Sequence, residues 1–485
     1  MNFFRANVVV LAVLCSGNLT NAGDYVLTIG GGYSPEGNQA SLEKNVFLFE
    51  RVLAGYPGRV ERHDVFFADG KNPARDLQVH DPSQVPLSNR LMAEFFGSTR
   101  DLGLTYRNHG VTNVRDASKP GNIKAWFAEV GTQMKSGDKL TIYVTAHGHR
   151  SRDRNRDYNT SIAMWGSTAM QMTEFARLLD GLDPGVDVVM VMVQCYTGGF
   201  THLMYRDGDP DRGLSPQSRV GFYATVHDRP AAGCTSSVDE ADYVEYSTYF
   251  WAAIAGINRL GEAIDPPDYD NDGRVSLEEA HAYTILNADT IDVPVKTSGE
   301  YLSNASKFGD GSGDLLQNDE PYSRVLKYAS PVQKVVLTEL SEKLGLEGEE
   351  RLVDAWEKTR VERRRRRSTT QASSGLKDKI VADLQRRWPE LANTLNPVSI
   401  ELLTNRNQEF VEAVQEHPQY EKYKRESDKE KTRPDQQESR AQYERFLRVA
   451  DNVVLAENLR RLNRPERLKE YEQIIAAERT GFLSR

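Results

Sequence analysis

Two residues combine a reactive side chain with a telling position. The apolar run 139–146 (KLTIYVTA) leads into His147-Gly148-His149, and 186–193 (VDVVMVMV) leads into Gln194-Cys195-Tyr196-Thr197-Gly198-Gly199. A thiol that attacks a carbonyl needs a base to take its proton and backbone donors for the developing oxyanion. Taken singly, a cysteine after a buried strand is a small packed hydrophobe and a histidine a satisfied polar residue. Taken together, each closing an apolar strand beside glycine, they suggest a dyad with His147 as general base and Cys195 as nucleophile. Gly148 has no Cβ, so its backbone can approach a substrate, and its amide is the expected oxyanion donor together with that of Cys195.

A second constellation runs from Asp268 to Glu279. Asp268, Asp270 and Asp272 occupy positions one, three and five of a twelve-residue pattern, Gly273 the turn, Arg274 the carbonyl position, Ser276 position nine and Glu279 position twelve. That is the oxygen set hard Ca²⁺ takes in an EF-hand loop, with Glu279 expected to bind through both oxygens. Pro266 and Pro267 precede the loop and no second copy of the pattern occurs, so a structural calcium clip is expected rather than a sensor pair.

These residues need a scaffold that gathers strand ends. Between residues 24 and 286, β-forming runs at 25–30, 60–67, 139–146, 186–194 and 220–226 alternate with helical patterns such as 123–134 and 172–179. The alternation predicts an α/β fold with a mostly parallel sheet, in which functional groups collect at the carboxyl ends of strands. Beyond residue 331 the sequence becomes charged and glycine-poor. Ile380, Leu384, Trp388, Leu391 and Leu395, and later Tyr443, Leu447, Ala450 and Val454, recur at helical spacing. The basic run 363–367 and the mixed-charge stretch 422–440 read as solvated linkers or exposed helix faces, with a processing site or an anionic-surface contact as the alternative.

The motifs Thr145-Ala146-His147-Gly148 and Gln194-Cys195-Tyr196-Thr197-Gly198-Gly199 resemble those of the caspase–legumain group of cysteine peptidases. Residues 224–228 (ATVHD), Ala232-Gly233-Cys234 and Tyr246-Ser247-Thr248-Tyr249 are similar to the legumain segment after the catalytic strand. The resemblance spans about residues 24–258 and implies a three-layer sandwich, a metal-independent dyad and hydrolysis of peptide or protein substrates. A transpeptidase with the same dyad, and an inactive calcium-binding interaction protein using its C-terminal helices as a partner surface, are the competing expectations. Family members carry an arginine after the first strand to grip an acidic or amide P1 side chain. The corresponding Gly30-Gly31-Gly32-Tyr33-Ser34-Pro35-Glu36-Gly37-Asn38-Gln39 has none, and Asp239, Glu240 and Asp242 leave a basic P1 open.

The chain has 485 residues and a formal net charge of −9, without the basic excess of a nucleic-acid binder. Residues 1–22 read as a basic start, an apolar centre and a small-residue cleavage site, an export signal, with a lipid anchor at Cys15 as the weaker alternative. No later run is long and apolar enough to span a membrane, so a secreted or cell-envelope location is expected. The expected order is leader 1–22, peptidase domain 23–260, calcium loop and exiting helix 261–290, and helical region 331–485.

Overall fold

The computed structural model describes residues 22–364, 372–432 and 436–483. The proposed leader lies almost wholly outside the described residues, and the basic run 363–367 lies partly outside them.

In chain order the strands are β1 (Asp24–Gly31), β2 (Val60–Phe67), β3 (Leu77–His80), β4 (Leu104–Arg107), β5 (Val114–Asp116), β6 (Lys139–His149), β7 (Ser161–Met164), β8 (Thr168–Gln171), β9 (Asp187–Met192), β10 (Arg219–Tyr223) and β11 (Val295–Lys296). The main sheet has the order β11-β10-β9-β6-β1-β2-β5, and only the edge pair β10–β11 along that path is antiparallel. β3 and β4 form a separate hairpin.

Alternation along each strand explains the layering, because successive side chains face opposite sides of a sheet. Leu27 and Ile29 of β1, Leu140, Ile142 and Val144 of β6, and Val188, Met190 and Met192 of β9 share one core with Trp126, Phe127 and Phe175. Val26, Tyr143, Val189 and Val191 face the other way, into a core with Phe49, Phe250 and Trp251. Helices Pro120–Glu129 and Met172–Asp180 thus cover one face, and Ala40–Ala54 and Tyr246–Ala255 the other. The result is α/β, with a mostly parallel sheet between two helical layers.

β6 runs three residues beyond the predicted 139–146. Past Ala146 it leaves the parallel ladder and pairs antiparallel with β7, matching His147 with Ala163 and Gly148 with Ile162.

The helices after residue 331 pack against this scaffold. Leu455, Leu459, Tyr471, Ile474 and Phe482 lie in the same core as Val26 and Tyr143. Ile380, Leu384, Trp388 and Leu391 bury against Leu91, Met92 and Phe95 of helix Leu87–Phe96. Leu395 departs from the expected repeat and is 80% exposed. Helix Ala372–Arg387 stops before Pro389, which has no amide hydrogen to continue the ladder, so the register carrying Leu384 does not reach Leu395. Among the described residues, no helix is long and apolar enough to cross a membrane.

Candidate active site

β6 lies between β9 and β1, so the carboxyl ends of all three strands converge at one edge. His147 occupies the end of β6, and Cys195 follows the end of β9 in the turn before the 3-10 helix Thr197–Met204. The residues after β1 fold over them from the other side.

This last segment orients the histidine. His147 Nε2 lies 2.9 Å from the Gly37 carbonyl oxygen and 2.9 Å from Gln39 Oε1. A carbonyl only accepts, so Nε2 carries the proton and Nδ1 keeps its lone pair. The ring also meets the edge of Tyr33, with centroids 5.4 Å apart. Burial pushes the imidazole pKa below its ordinary value, so the neutral base is the resting form.

Nδ1 faces Cys234, whose Sγ is 3.6 Å away. Cys195 has different partners. Its Sγ accepts from the Ala231 amide at 3.3 Å and donates to the Ala231 carbonyl at 3.8 Å. Both cysteines are free thiols, Cys195 half-buried and Cys234 exposed. Burial raises the Cys195 thiol above its ordinary pKa, against a smaller opposing effect of the Ala231 amide. Desolvation by surrounding protein raises Cys234 as well, followed by the nearby Cys195 charge; its solvent exposure nonetheless decides that a reagent reaches it.

Gly148 belongs at a close approach of two strand ends. A Cβ there would lie 2.0 Å from the Cys195 carbonyl oxygen and 2.9 Å from Gln194 Cγ. Gln194 itself is 1% exposed, and both polar ends of its side chain lack hydrogen-bond partners.

The cysteine loop is held from behind by helix Gln436–Arg461. Glu444 pairs with Arg229, whose carbonyl accepts from the Tyr196 amide at 2.8 Å. Arg445 is 2% exposed and donates to the carbonyls of Ile285, Ala288, Thr290 and Asp292. Asp292 Oδ1 in turn accepts from the Ala232 amide at 2.7 Å, next to the residue that binds the Cys195 sulfur. Burial pushes the Asp292 carboxyl up to about 7, and its Oδ2 has no partner.

The acidic run considered for a basic P1 is already engaged. Glu240 pairs with Lys44 at 3.2 Å, Asp239 caps a short helix through the Ala241 amide, and Asp242 accepts from Ser237 Oγ at 2.6 Å.

In the acidic loop, ligand oxygens of Asp268, Asp270 and Glu279 lie within 4.8 Å of one another. Gly273 has φ +84°, as the sharp turn requires. Asp272 instead turns toward Arg274 at 3.2 Å, and Ser276 caps helix Leu277–Asn287 in a capping box with Glu279. The oxygens of Glu279 accept from the Tyr269 and Asp270 amides and from Ser276. The structure therefore gathers the carboxylates of Asp268, Asp270 and Glu279, with Ser276 Oγ 2.9 Å from Glu279 Oε2, while the Asp272 carboxylate pairs with Arg274.

Sequence reasoning did not reach Gly37, Gln39 or the Cys234 contact. Gly37 acts through its carbonyl, which any residue type supplies, and Cys234 meets His147 across 87 positions.

The sequence matches no protein-family profile and no curated protein. Among solved structures it is similar to protein GSU0716 from Geobacter sulfurreducens, at 9% identity and a TM-score of 0.26, covering 44% of this chain and 77% of that one.

Proposed function

We propose that this chain is an exported cysteine endopeptidase of the caspase–legumain type, with His147 as general base and Cys195 as nucleophile. The observation that carries the reading is the imidazole held by the Gly37 carbonyl through Nε2, with Nδ1 left as a base at the edge where Cys195 emerges. With substrate seated, the Cys195 proton passes to Nδ1, sulfur bonds to the carbonyl carbon, and the C–N bond breaks as His147 protonates the leaving amine. Water then cleaves the thioester; an amine acceptor in its place would make the enzyme a transpeptidase. Because both thiols are raised and the imidazole is lowered, the ion pair forms during the reaction rather than at rest.

One observation favours a second reading with Cys234 as nucleophile: its sulfur is the one within hydrogen-bonding distance of Nδ1. Limiting iodoacetamide on the native protein, followed by mapping of the carboxamidomethylated peptide, separates the two. Label on Cys195 that slows in His147→Ala supports the first reading. Label on Cys234 with the same dependence transfers the role. Equal, His147-independent labelling of both removes the peptidase reading.

The loop from Asp268 to Glu279 fits calcium by its all-oxygen donor set. Asp268, Asp270 and Glu279 would hold the ion with the Arg274 carbonyl, joined by Asp272 and Ser276. The ion would neutralise the clustered carboxylates and staple the start of helix Leu277–Asn287.

A further inference from the structure

At the same edge of the sheet, away from both motifs, lies a buried cluster of Asp69, Asp76 and His109. Asp69 follows β2, Asp76 precedes β3 and His109 follows β4. One ligand atom from each falls within 4.8 Å of the others, and His109 Nε2 is 3.9 Å from Asp69 Oδ1. The Asp69 side chain is 3% exposed and that of His109 5%, yet no N–H or hydroxyl donor reaches either Asp69 oxygen, the Asp69 carboxyl meets that of Asp76 instead, and His109 Nδ1 has no partner. Two carboxylates brought together out of water repel one another and stand unsolvated unless a cation or a proton joins them. Asp76 is already oriented, accepting from the His109 amide at 2.9 Å and from Asn38 Nδ2 at 3.3 Å. One Asp69 oxygen and one His109 ring nitrogen lie within 4.8 Å of an Asp76 oxygen.

We propose that Asp69, Asp76 and His109 form a site for a zinc-class divalent ion. An imidazole nitrogen with two carboxylates is a borderline donor set that suits zinc, whereas calcium takes oxygen alone. Zinc bonds nitrogen and oxygen at about 2 Å, so the ligand atoms close slightly around it. His109 Nε2, the nitrogen nearest Asp69, donates to the Gly70 carbonyl at 2.8 Å, so binding the ion through it releases that proton and leaves the carbonyl oxygen beside the ion. The site would also bear on the candidate active site. Asn38, which bonds Asp76, accepts from the Gly32 amide at 3.0 Å and follows Gly37, the residue that orients His147. An ion bound here would stiffen the segment 32–39.

The test uses the full chain, stripped with chelator, saturated with calcium to fill the acidic loop, then loaded with zinc and gel-filtered. Elemental analysis should give one zinc per chain for the wild type and none for Asp69→Asn or His109→Ala. X-ray absorption at the zinc edge of the wild type, which depends on no variant, should show a nitrogen and oxygen shell with a single imidazole. Hydrogen exchange in peptides covering residues 32–39 should slow on zinc addition. A sulfur shell would place the ion at the cysteines and overturn the assignment. Loss of all zinc from the wild type on gel filtration would also overturn it and leave the two carboxylates sharing a proton. None of these readouts depends on catalysis, so failure of the peptidase reading would leave the result standing.

Discussion

Cys195 and Cys234 lie at the same edge of the sheet, yet their surroundings differ in kind. Cys195 follows a core strand and is gripped by the Ala231 backbone, itself backed by Asp292, Arg445 and helix Gln436–Arg461. Cys234 is exposed and meets His147 directly. The difference separates restraint from proximity: the sulfur beside the base is the less constrained, and the sulfur held by the Ala231 backbone is not the one that Nδ1 contacts. Reactivity is set by how a sulfur is held as well as by its nearest neighbour.

The sharpest break of this contrast is deletion of each sulfur. Cys195→Ala should lower peptide hydrolysis by at least about 10³-fold, as should His147→Ala, while Cys234→Ala should change it by less than about 10-fold. Initial rates on a fluorogenic peptide library give the answer, and reversed values for the two cysteines would invert the assignment.

Next in size is the support behind Cys195. Arg445→Met leaves four buried carbonyls without their donor and should cost about 3–5 kcal/mol, read as a fall in Tm by calorimetry. Alkylation of Cys195 should change in this variant and that of Cys234 should not. Parallel changes would show that the two thiols share one support.

Smaller still is the calcium effect, which should leave the contrast untouched. Chelator should destabilise the wild type by about 3 kcal/mol relative to calcium at a hundred times its Kd, and should not shift Asp268→Ala combined with Glu279→Ala. An equal response in both proteins would remove the loop as the site.

The mildest test is pH. Burial lowers the His147 pKa, so the imidazole stays a neutral base as the pH falls through the ordinary value of about 6.5 and is lost only below it. The acid limb of kcat/KM should therefore lie below about 6.5. A limb above that value would mean that His147 is not the base.

The main strands were legible because β-formers run uninterrupted through them, as in residues 140–144, and because turn residues bound each run. The β7–β8 hairpin was not, since two four-residue strands carry too little pattern. The clustering of Asp268, Asp270 and Glu279 could be read because these carboxylates fall within one twelve-residue stretch and the glycine sits where the turn needs it. The cluster of Asp69, Asp76 and His109 could not, because side chains brought together from the ends of separate strands leave no spacing in the chain. The same limit hid the His147 orientation, which rests on a main-chain oxygen.

Phe482 and Leu483 share a core with Val26 and Phe49, and the Leu277 amide bonds the Thr480 carbonyl. One face of the first strand is therefore completed by residues more than four hundred positions downstream. Contacts of such sequence separation form late and slow folding. A chain made from its amino end must keep that face uncovered through most of its synthesis. Under the proposed reading of an exported thiol hydrolase, such a core would close only once the carboxyl-terminal segment is available, and the unfinished chain would remain threadable through a translocation channel.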